Sequence, residues 1–311
     1  MQVTARLAPS PTGLLHIGHA RSFLLAWLNA RAAGGRVLLR IEDLDATRSR
    51  PEFIESCMED IAWLGLDWDE EPHLQSSRST ELLSIAERLV DEGAAYPCVC
   101  TRKEVREASS APHLDGRPVI YPGTCRGRFQ SIQEAEQQTG RRPTLRFRCP
   151  EDEIHINDLF QGEATLHPLK EFGDFPIASP DGQTSYHLAV VLDDDYQGVT
   201  EVLRGDDLLS SCGPQAALQA ALGIERPTWI HVPLVLDEHK KRLAKRTDGL
   251  SVRTLREQGH CPRDLVGWLL SASGLGHEGP TAPEDAIKDF SLSSLSRSAI
   301  LIPEGFPGVS G

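Results

Sequence analysis

The sequence has no long hydrophobic run and no low-complexity tract. No stretch approaches the roughly 18 uninterrupted apolar residues that a membrane span requires, and the opening Met1-Gln2-Val3-Thr4 has neither the basic region nor the apolar run of a signal peptide. A Gly-x-x-x-x-Gly-Lys-Ser/Thr motif is also missing, which excludes a P-loop nucleotide triphosphatase. We therefore expect a cytoplasmic protein with no membrane partner.

The composition is that of a globular protein with more than one structural unit. The 311 residues are 40% hydrophobic and 25% charged, and this length predicts two domains or one large α/β core that carries an insertion. The net charge of −13 on its own argues against a nucleic-acid partner. The charge is uneven, however, because residues 102–148 hold ten Lys/Arg against five Asp/Glu. This segment is a local basic region in an acidic protein.

The first 41 residues predict a strand, a helix and a second strand. Residues 3–8 are short and apolar, residues 20–28 repeat apolar side chains at helical spacing, and residues 37–41 form another apolar run. A helix between two strands at this spacing is a βαβ unit with parallel strands. Ligand sites in such sheets lie at the carboxyl ends of the strands.

The composition changes at about residue 96. Cysteine, proline, glycine and arginine replace helical periodicity as far as Pro150, and the capping box Ser131-x-x-Glu134 is the one clear helix start there. Alternating α/β character resumes at about residue 186, and two helical segments are expected after Gly249. We divide the chain into the first half of a parallel-sheet domain at 1–95, an insertion at 96–175, the second half of the domain at 176–249, and a C-terminal helical segment at 250–311.

The segment between the first strand and the first helix carries a candidate phosphate site. Residues 9–19 read Pro-Ser-Pro-Thr-Gly-Leu-Leu-His-Ile-Gly-His, at the position where a ligand phosphate can meet the N–H groups of a helix N-terminus. Gly18 permits close approach of a nucleotide, and His16 and His19 can both hydrogen-bond a phosphate as its charge develops. For an isolated His-x-x-His the alternative is a turn with two solvated histidines.

A basic run follows the last predicted strand. It reads Lys240-Lys241-Arg242-Leu243-Ala244-Lys245-Arg246, and five of its seven side chains are cationic. Such a run is usually a solvated surface.

Three of the seven cysteines form a candidate metal site. An odd number of cysteines in a chain without an export signal favours thiols or a metal over disulfides. Cys98, Cys100 and Cys125 lie within 28 residues, which suggests tetrahedral zinc, although buried thiols are an equal alternative. From the residues alone, the fourth ligand could be His113, Tyr121 or Cys149.

These motifs resemble those of one enzyme family. Residues 6–19 are similar to the first signature of class I aminoacyl-tRNA synthetases, and the Arg-x-x-Pro-Ser-Pro-Thr-Gly opening resembles the glutamyl and glutaminyl branch. Residues 40–45, Arg-Ile-Glu-Asp-Leu-Asp, resemble the Arg-x-Glu-Asp-x-Asp motif of that branch. The basic run resembles the mobile Lys-Leu-Ser-Lys-Arg loop, with Arg242 for the first lysine, Ala244 for the serine, and Lys245 retained. The resemblance implies an α/β fold: a Rossmann-like parallel sheet, an inserted zinc-bearing α+β subdomain and a short C-terminal helical segment.

The resemblance also implies a reaction. The glutamate α-carboxylate would attack the α-phosphorus of ATP and expel pyrophosphate, with Mg²⁺ present. His16, His19 and Lys245 are the implied catalytic residues, which stabilise the added charge. The implied ATP-binding residues are Pro9, Thr12, Gly18, His19, Arg242 and Lys245.

A glutamate pocket is implied in the same way. Glutamate presents two carboxylates and one ammonium, so its pocket needs an arginine fork, hydroxyl donors and an acidic partner. We expect Arg6 and Arg204 to bind the side-chain carboxylate and Glu42 to bind the ammonium. The implied glutamate-binding residues are Arg6, Ala8, Ser10, Glu42, Tyr186 and Arg204. Taken alone, each charged residue among them would be an ordinary surface charge.

Two further features resemble the short paralogues of glutamyl-tRNA synthetase. Their Cys-x-Cys…Tyr-x-x-x-Cys arrangement selects Cys98, Cys100, Tyr121 and Cys125 as the Zn²⁺ ligands. Only 65 residues follow Arg246, too few for an anticodon-reading domain. By this resemblance the chain is a ligase that activates glutamate without tRNA and attaches it to the queuosine base in the anticodon loop of tRNA(Asp). The basic insertion would hold the RNA phosphates, and we expect a monomer.

Three alternatives remain open from the sequence. The chain could be a catalytic fragment of a conventional glutamyl-tRNA synthetase that charges the 3′ end of tRNA(Glu). It could be a catalytically inactive binding module, although the complete motif at residues 16–19 and Lys245 argue against this. It could also be a nucleotidyltransferase with a similar His-x-Gly-His element, which would not explain Arg6, Glu42 and Arg204 together.

Overall fold

The computed structural model describes residues 2–108, 120–237, 239–241, 243, 251–303 and 306. The α-helices in this part of the chain are α1 Ile17–Ala32, α2 Pro51–Trp63, α3 Ser79–Asp91, α4 Arg102–Ala108, α5 Ile132–Thr139, α6 Pro168–Phe172, α7 Tyr186–Tyr196, α8 Cys212–Leu222, α9 Val252–Glu257 and α10 Pro262–Ala272. The strands are β1 Thr4–Leu7, β2 Arg36–Ile41, β3 His73–Leu74, β4 Ala95–Cys98, β5 Thr144–Phe147, β6 Ile154–Asp158, β7 Gly162–Leu166, β8 Pro176–Ala178, β9 Glu201–Gly205, β10 Thr228–Val232, β11 Val235–Leu236 and β12 Ile300–Leu301.

The predicted βαβ unit is confirmed. Strand β1 pairs in parallel with β2, from Thr4 opposite Arg36 to Leu7 opposite Leu39, and β2 pairs in parallel with β3. On the other side of β1, β9 and β10 form a second parallel pair. The Thr200 N–H donates to the Thr4 carbonyl over 2.9 Å, which joins the two pairs edge to edge. Their carboxyl ends therefore face the same edge, where β1 leads into α1.

Helix α1 is buried on most of its circumference. Ile17, Ala20, Leu24 and Leu28 recur at the three- and four-residue spacing of one helix face, and the residues 25–27 between them are buried as well. The chain leaves the helix through Gly34, whose φ of +64° is accessible to glycine without strain. This burial fixes the helix N-terminus against the sheet edge.

Residues 95–178 add antiparallel strands to the parallel core. Strand β5 pairs with β4 and β8, and β6 forms a hairpin with β7. The hairpin contacts the parallel sheet, because the Leu159 N–H donates to the Trp229 carbonyl over 3.0 Å. The predicted helix start is confirmed at α5, where Ser131 Oγ accepts from the Glu134 N–H. The capping box is not complete, because the Glu134 carboxylate accepts the N–H of Gln130 over 2.6 Å and not that of Ser131. The division of the chain into units at residues 95, 175 and 249 stays a prediction.

The C-terminal helical segments are confirmed as α9 and α10. The Val252 N–H at the start of α9 donates to the Leu15 carbonyl over 2.8 Å, so the chain returns to the motif that precedes α1. In the ranges given above, no helix combines the length and the apolar character needed to cross a membrane.

Candidate active site

A cavity of about 490 Å³ opens at the carboxyl ends of the parallel strands. Strand β1 leads into it at Ala8, β2 at Glu42, β9 at Arg204 and β10 at Pro233. This is the edge at which an α/β sheet places ligands. The predicted site residues on its wall are Arg6, Ala8, Pro9, Ser10, His16, Gly18, His19, Glu42, Tyr186 and Arg204.

The remaining predicted residues lie elsewhere. Thr12 is in the turn before α1, where its N–H donates to the Ser10 carbonyl over 2.8 Å, and it is not among the described residues that line the cavity. Arg242, Ala244, Lys245 and Arg246 lie outside the described residues.

The two histidines cap the N-terminus of α1. His16 Nδ1 accepts the Gly18 N–H over 3.1 Å, and His19 Nδ1 accepts the His16 N–H over 3.3 Å, so the pair forms a capping box. The rings stack with their centroids 3.7 Å apart. Because each Nδ1 accepts a backbone hydrogen bond, each neutral ring carries its proton on Nε2. Both imidazoles can then act as hydrogen-bond donors at a helix N-terminus.

Gly18 has little room for a side chain. A Cβ at this position would lie 3.0 Å from both Cε1 and Nδ1 of His16, closer than ordinary van der Waals contact. Glycine therefore allows the His16 ring to reach back over the helix end.

A network of charged residues joins Arg6, Ser10 and Glu42 on the cavity wall to Arg40 and Asp194, which are buried behind it. Asp194 lies 3.4 Å from Arg6 Nε and accepts from Arg40 Nη1 over 2.7 Å. Arg40 also lies 3.3 Å from Glu42, and Ser10 Oγ donates to Glu42 over 3.2 Å. Burial opposes the charge on Arg40, but Asp194 and Glu42 raise its pKa. Arg40 therefore has two carboxylate partners, which its Nη atoms contact. The Nε atoms of Arg6 and Arg40 are both buried and make no hydrogen bond to any described residue.

Arg204 lines the same cavity with a different set of partners. Its Nε donates to His231 Nε2 over 3.0 Å, and its Nη2 donates to Gln215 Oε1 over 2.9 Å. Its Nη1 is buried, and no partner for it exists among the described side chains. Arg6 and Arg204 thus both line the cavity, and each has a buried N–H group with no hydrogen bond to a described residue, which is costly unless an acceptor binds. Arg21 lines the same cavity and has such a group at Nη2.

Tyr186 completes this part of the wall. It is the first residue of α7 and keeps 39% of its surface exposed. Burial of its hydroxyl raises its pKa, so the phenol stays neutral and can donate a hydrogen bond.

Sequence reasoning missed Arg21. Arg21 lines the cavity from α1 and is 1% exposed. Its Nε donates to Ser273 Oγ over 3.0 Å, its Nη1 donates to the Pro233 carbonyl, and burial lowers its pKa to about 10. The signal for Arg21 was its position among the apolar residues of α1. Asp194 belongs to an acidic run, residues 193–195, that resembles the amino-acid pocket of the family, but the sequence assigned it no role, because its role depends on contacts with β1 and β2.

The three predicted cysteines come together in the antiparallel part of the chain. The Sγ atoms of Cys98, Cys100 and Cys125 all lie within 4.8 Å of one another. The Tyr121 hydroxyl lies 3.3 Å from Cys98 Sγ and 3.6 Å from Cys100 Sγ. Cys149 packs in a separate cluster of apolar residues, and His113 lies outside the described residues. Of the three candidate fourth ligands, the structure places Tyr121 beside the thiols.

The donor set fits a tetrahedral zinc ion. With Zn–S bonds of about 2.3 Å, tetrahedral geometry separates two sulfur atoms by about 3.8 Å and a sulfur from an oxygen by about 3.5 Å. The Cys100–Cys125 distance is 3.5 Å, close to these values, as are the two distances from Tyr121. Burial raises the pKa of Cys100 to about 12 and raises the pKa of Tyr121. A buried divalent cation would supply the charge that these donors need in order to ionise.

A second cavity, of about 810 Å³, lies beside this cluster. Arg102, Arg106 and Arg146 line it together with Thr184 and Ser185. Arg146 stacks 3.9 Å from the Tyr121 ring centroid, and the buried Thr184 and Ser185 hydroxyls have no hydrogen-bond partner in the described part of the chain. The wall of this cavity is therefore cationic and presents unsatisfied hydroxyl groups.

Comparisons with known proteins agree on one family. Residues 2–288 match the model for tRNA synthetases class I (E and Q), catalytic domain. The chain is 42% identical over 310 residues to a Glutamyl-Q tRNA(Asp) synthetase of Nitratidesulfovibrio vulgaris, covering 97% of this chain and 96% of the relative. It is 44% identical to one of Symbiobacterium thermophilum, covering 96% and 95%.

A solved structure agrees as well. The crystal structure of a glutamate tRNA ligase from Elizabethkingia meningosepticum, in complex with its amino acid, matches with a TM-score of 0.82 at 26% identity. The match covers 97% of this chain and 67% of that one. The fold is therefore the class I synthetase catalytic fold, and this chain is a ligase that belongs to the class I tRNA synthetases (E and Q).

Proposed function

We propose that this chain activates L-glutamate with ATP, without tRNA, and transfers it to the queuosine base in the anticodon loop of tRNA(Asp). One observation carries the first half: the buried, unsatisfied N–H groups of Arg6 and Arg204 share a cavity with the histidine-capped end of α1. The relatives that are 42% and 44% identical over nearly their whole length support the second half, since both are named as glutamyl-Q tRNA(Asp) synthetases.

Glutamate would lie between the two arginines. Its side-chain carboxylate would accept from Arg6 and Arg204, because both are buried and each has donor capacity left over. The Glu42 carboxylate, which is 8% exposed and hydrogen-bonded to Ser10, would pair with the ammonium. Ala8 and Tyr186 would complete the wall around the aliphatic stem.

ATP would bind over the N-terminus of α1, along Pro9, Thr12 and Gly18. In the activation step, an oxygen of the glutamate α-carboxylate bonds to the α-phosphorus while the bond to the pyrophosphate oxygen breaks. Negative charge grows on the phosphoryl oxygens, and Nε2–H groups of His16 and His19 would donate to them. Mg²⁺ would enter with the ATP phosphates and offset their charge; we assign it no protein ligand.

Lys245 and Arg242 would supply the remaining positive charge. Both lie outside the described residues; Leu243, between them in sequence, lines the cavity, and Ser251 forms a β-bridge with His16.

The cysteine cluster would hold one structural Zn²⁺ through Cys98, Cys100, Tyr121 and Cys125. The ion would join β4 to the segment at residues 121–125 and take no part in the reaction. We propose that residues 96–175 form an inserted unit, between catalytic halves at 1–95 and 176–249 and ahead of a helical segment at 250–311.

The tRNA would bind along the cationic cavity beside this cluster. Its arginines can hold phosphates, and the unsatisfied Thr184 and Ser185 hydroxyls can bind a nucleoside. Ser185 precedes Tyr186, which lines the glutamate cavity, so the two cavities are neighbours. The protein would act as a cytoplasmic monomer.

The test is acylation with radiolabelled glutamate. Glutamate-dependent pyrophosphate exchange should occur without RNA, and label should be transferred to tRNA(Asp) that contains queuosine but not to the same tRNA lacking it. Label at the 3′ end of tRNA(Glu) would instead support a conventional glutamyl-tRNA synthetase. A protein that gives no exchange signal with glutamate would contradict the activation step itself.

A further inference from the structure

Arg204 is held by a buried pair of residues that the proposed reaction does not use. The His231 and Asp158 side chains are both 0% exposed, and His231 Nδ1 lies 2.6 Å from Asp158 Oδ2. On its other side, His231 Nε2 accepts from Arg204 Nε over 3.0 Å. The three side chains form a continuous path from the interior to the cavity wall.

The fold fixes each member of this path. His231 on β10 is the direct register partner of Arg204 on β9, so their side chains share one face of the parallel sheet. Asp158 ends β6 in the hairpin, and its Oδ1 accepts the N–H groups of Phe160 and Gln161 over 2.9 Å and 2.7 Å. The hairpin therefore carries a rigid carboxylate to the back of the sheet.

The hydrogen bonds select one state of the histidine. Arg204 Nε can only donate, so His231 Nε2 must accept, and the ring proton must be on Nδ1, where it donates to Asp158. Burial lowers the pKa of His231. Burial also opposes ionisation of Asp158, yet the His231 hydrogen bond and the backbone N–H groups lower its pKa. The path thus consists of a carboxylate, a neutral imidazole and a guanidinium.

This arrangement leaves Arg204 oriented but not neutralised. Nε is occupied by a neutral nitrogen and Nη2 by the amide oxygen of Gln215, so only the buried Nη1 lacks a partner among the described residues. Arg40 differs, because carboxylates of both Asp194 and Glu42 contact it. An acceptor at Arg204 Nη1 is therefore favoured when it carries a negative charge, as a carboxylate does and a carboxamide does not.

We propose that Asp158 and His231 are positioning residues that orient Arg204 and so make the cavity select glutamate over glutamine. The proposal rests on the assignment of Arg204 to the substrate side chain. It also gives the β6–β7 hairpin a role in amino-acid selection, although the hairpin itself does not line the cavity.

Three variants test the pair, with one control in the same hairpin. In Asp158→Asn the amide oxygen can still accept the backbone N–H groups of the hairpin. The amide nitrogen would then face His231 Nδ1 and donate to it, which moves the imidazole proton to Nε2. His231→Phe removes both hydrogen bonds, and His231→Gln restores an acceptor for Arg204 Nε. His155→Asn is the control, because His155 is on the same strand but exposed.

Pyrophosphate exchange with each amino acid gives the readout. We expect Asp158→Asn and His231→Phe to raise the KM for glutamate about 10- to 100-fold, as loss of a charge-assisted contact does. The KM for ATP should stay within about twofold of the wild type. In these two variants the preference for glutamate over glutamine should fall by a similar factor. His231→Gln should recover most of that preference, and the control His155→Asn should match the wild type.

A second measurement separates this proposal from the proposed function. Nitrogen NMR spectra of the imidazole rings in the unliganded wild type should show the His231 proton on Nδ1. The same spectra of Asp158→Asn should show it on Nε2. If the wild type uses glutamate but Asp158→Asn keeps the same tautomer and selectivity, the positioning role is wrong. If the wild type shows the expected tautomer but no exchange with glutamate, the proposed function fails instead.

Discussion

The double role of His19 gives the sharpest prediction about the reaction. Its Nδ1 accepts the His16 N–H over 3.3 Å and so caps α1, while its Nε2–H would contact the phosphate. His19→Ala removes both. Loss of the cap costs about 1 kcal/mol of folding free energy, which for a chain of this size lowers Tm by about 2 °C. Loss of one preorganised donor at a developing charge lowers kcat about 100- to 1000-fold.

Two amide variants separate these effects. Asparagine can place its oxygen near the position of Nδ1, so His19→Asn should keep the wild-type Tm and lose as much kcat as alanine. Glutamine can place its amide near the position of Nε2, so His19→Gln should recover part of kcat without the cap. Pyrophosphate exchange and thermal unfolding measure the two quantities. A wild-type kcat in His19→Asn, or a KM for glutamate that rises in His19→Ala as much as kcat falls, would refute the assigned role.

The remaining predictions concern the binding of the glutamate side-chain carboxylate, the metal site and the pH dependence of stability. Arg6→Gln should raise the KM for glutamate about 10- to 100-fold and leave the KM for ATP unchanged, because Arg6 contributes a charge-assisted contact; equal changes in both would contradict its position. Cys98→Ser should lower both the zinc content found by metal analysis and the Tm. A wild-type protein that is purified without zinc would contradict the zinc site. Burial, together with Arg204, lowers the pKa of His187 to about 4. As pH falls, the unfolded chain therefore binds a proton at His187 before the folded chain does. The contribution of the neutral His187 to the free energy of unfolding is complete above about pH 6.5, and about 3 kcal/mol of it is lost as pH falls toward 4. His187→Gln should remove that part of the pH dependence of unfolding, and an unchanged profile would refute it.

Local patterns in the sequence predicted the elements that form the site. The βαβ unit and the helix that begins after Ser131 follow from periodicity and capping residues, which act over a few neighbours. The meeting of two motifs follows for the same reason: residues 9–19 come after β1, residues 40–45 end β2 and continue beyond it, and parallel strand ends meet at one edge. The assignment of Arg6, Glu42, Tyr186 and Arg204 to one pocket came instead from the resemblance to a known family.

The partners of these residues could not be predicted in this way. Asp158, Arg204 and His231 come from three strands, and 46 residues separate the first two along the chain. Each alone is an ordinary polar residue in a short strand, and only the pairing of β9 with β10 and the packing of the hairpin bring them within hydrogen-bond distance. Asp194 is similar, since its contacts with Arg6 and Arg40 span more than 150 residues.

The placement of charge also explains how an acidic protein could bind RNA on one face. Residues 40–71 carry eleven acidic residues against three arginines, whereas the cavity beside the cysteine cluster is lined by Arg102, Arg106 and Arg146. The two cavities meet at residues 183–186, where the Gln183 side chain donates to the Leu44 carbonyl close to Glu42. RNA would be repelled by most of the surface and attracted at the cavity next to the activated glutamate. Transfer should therefore weaken steeply with added salt, whereas exchange, which needs no RNA, should be less sensitive.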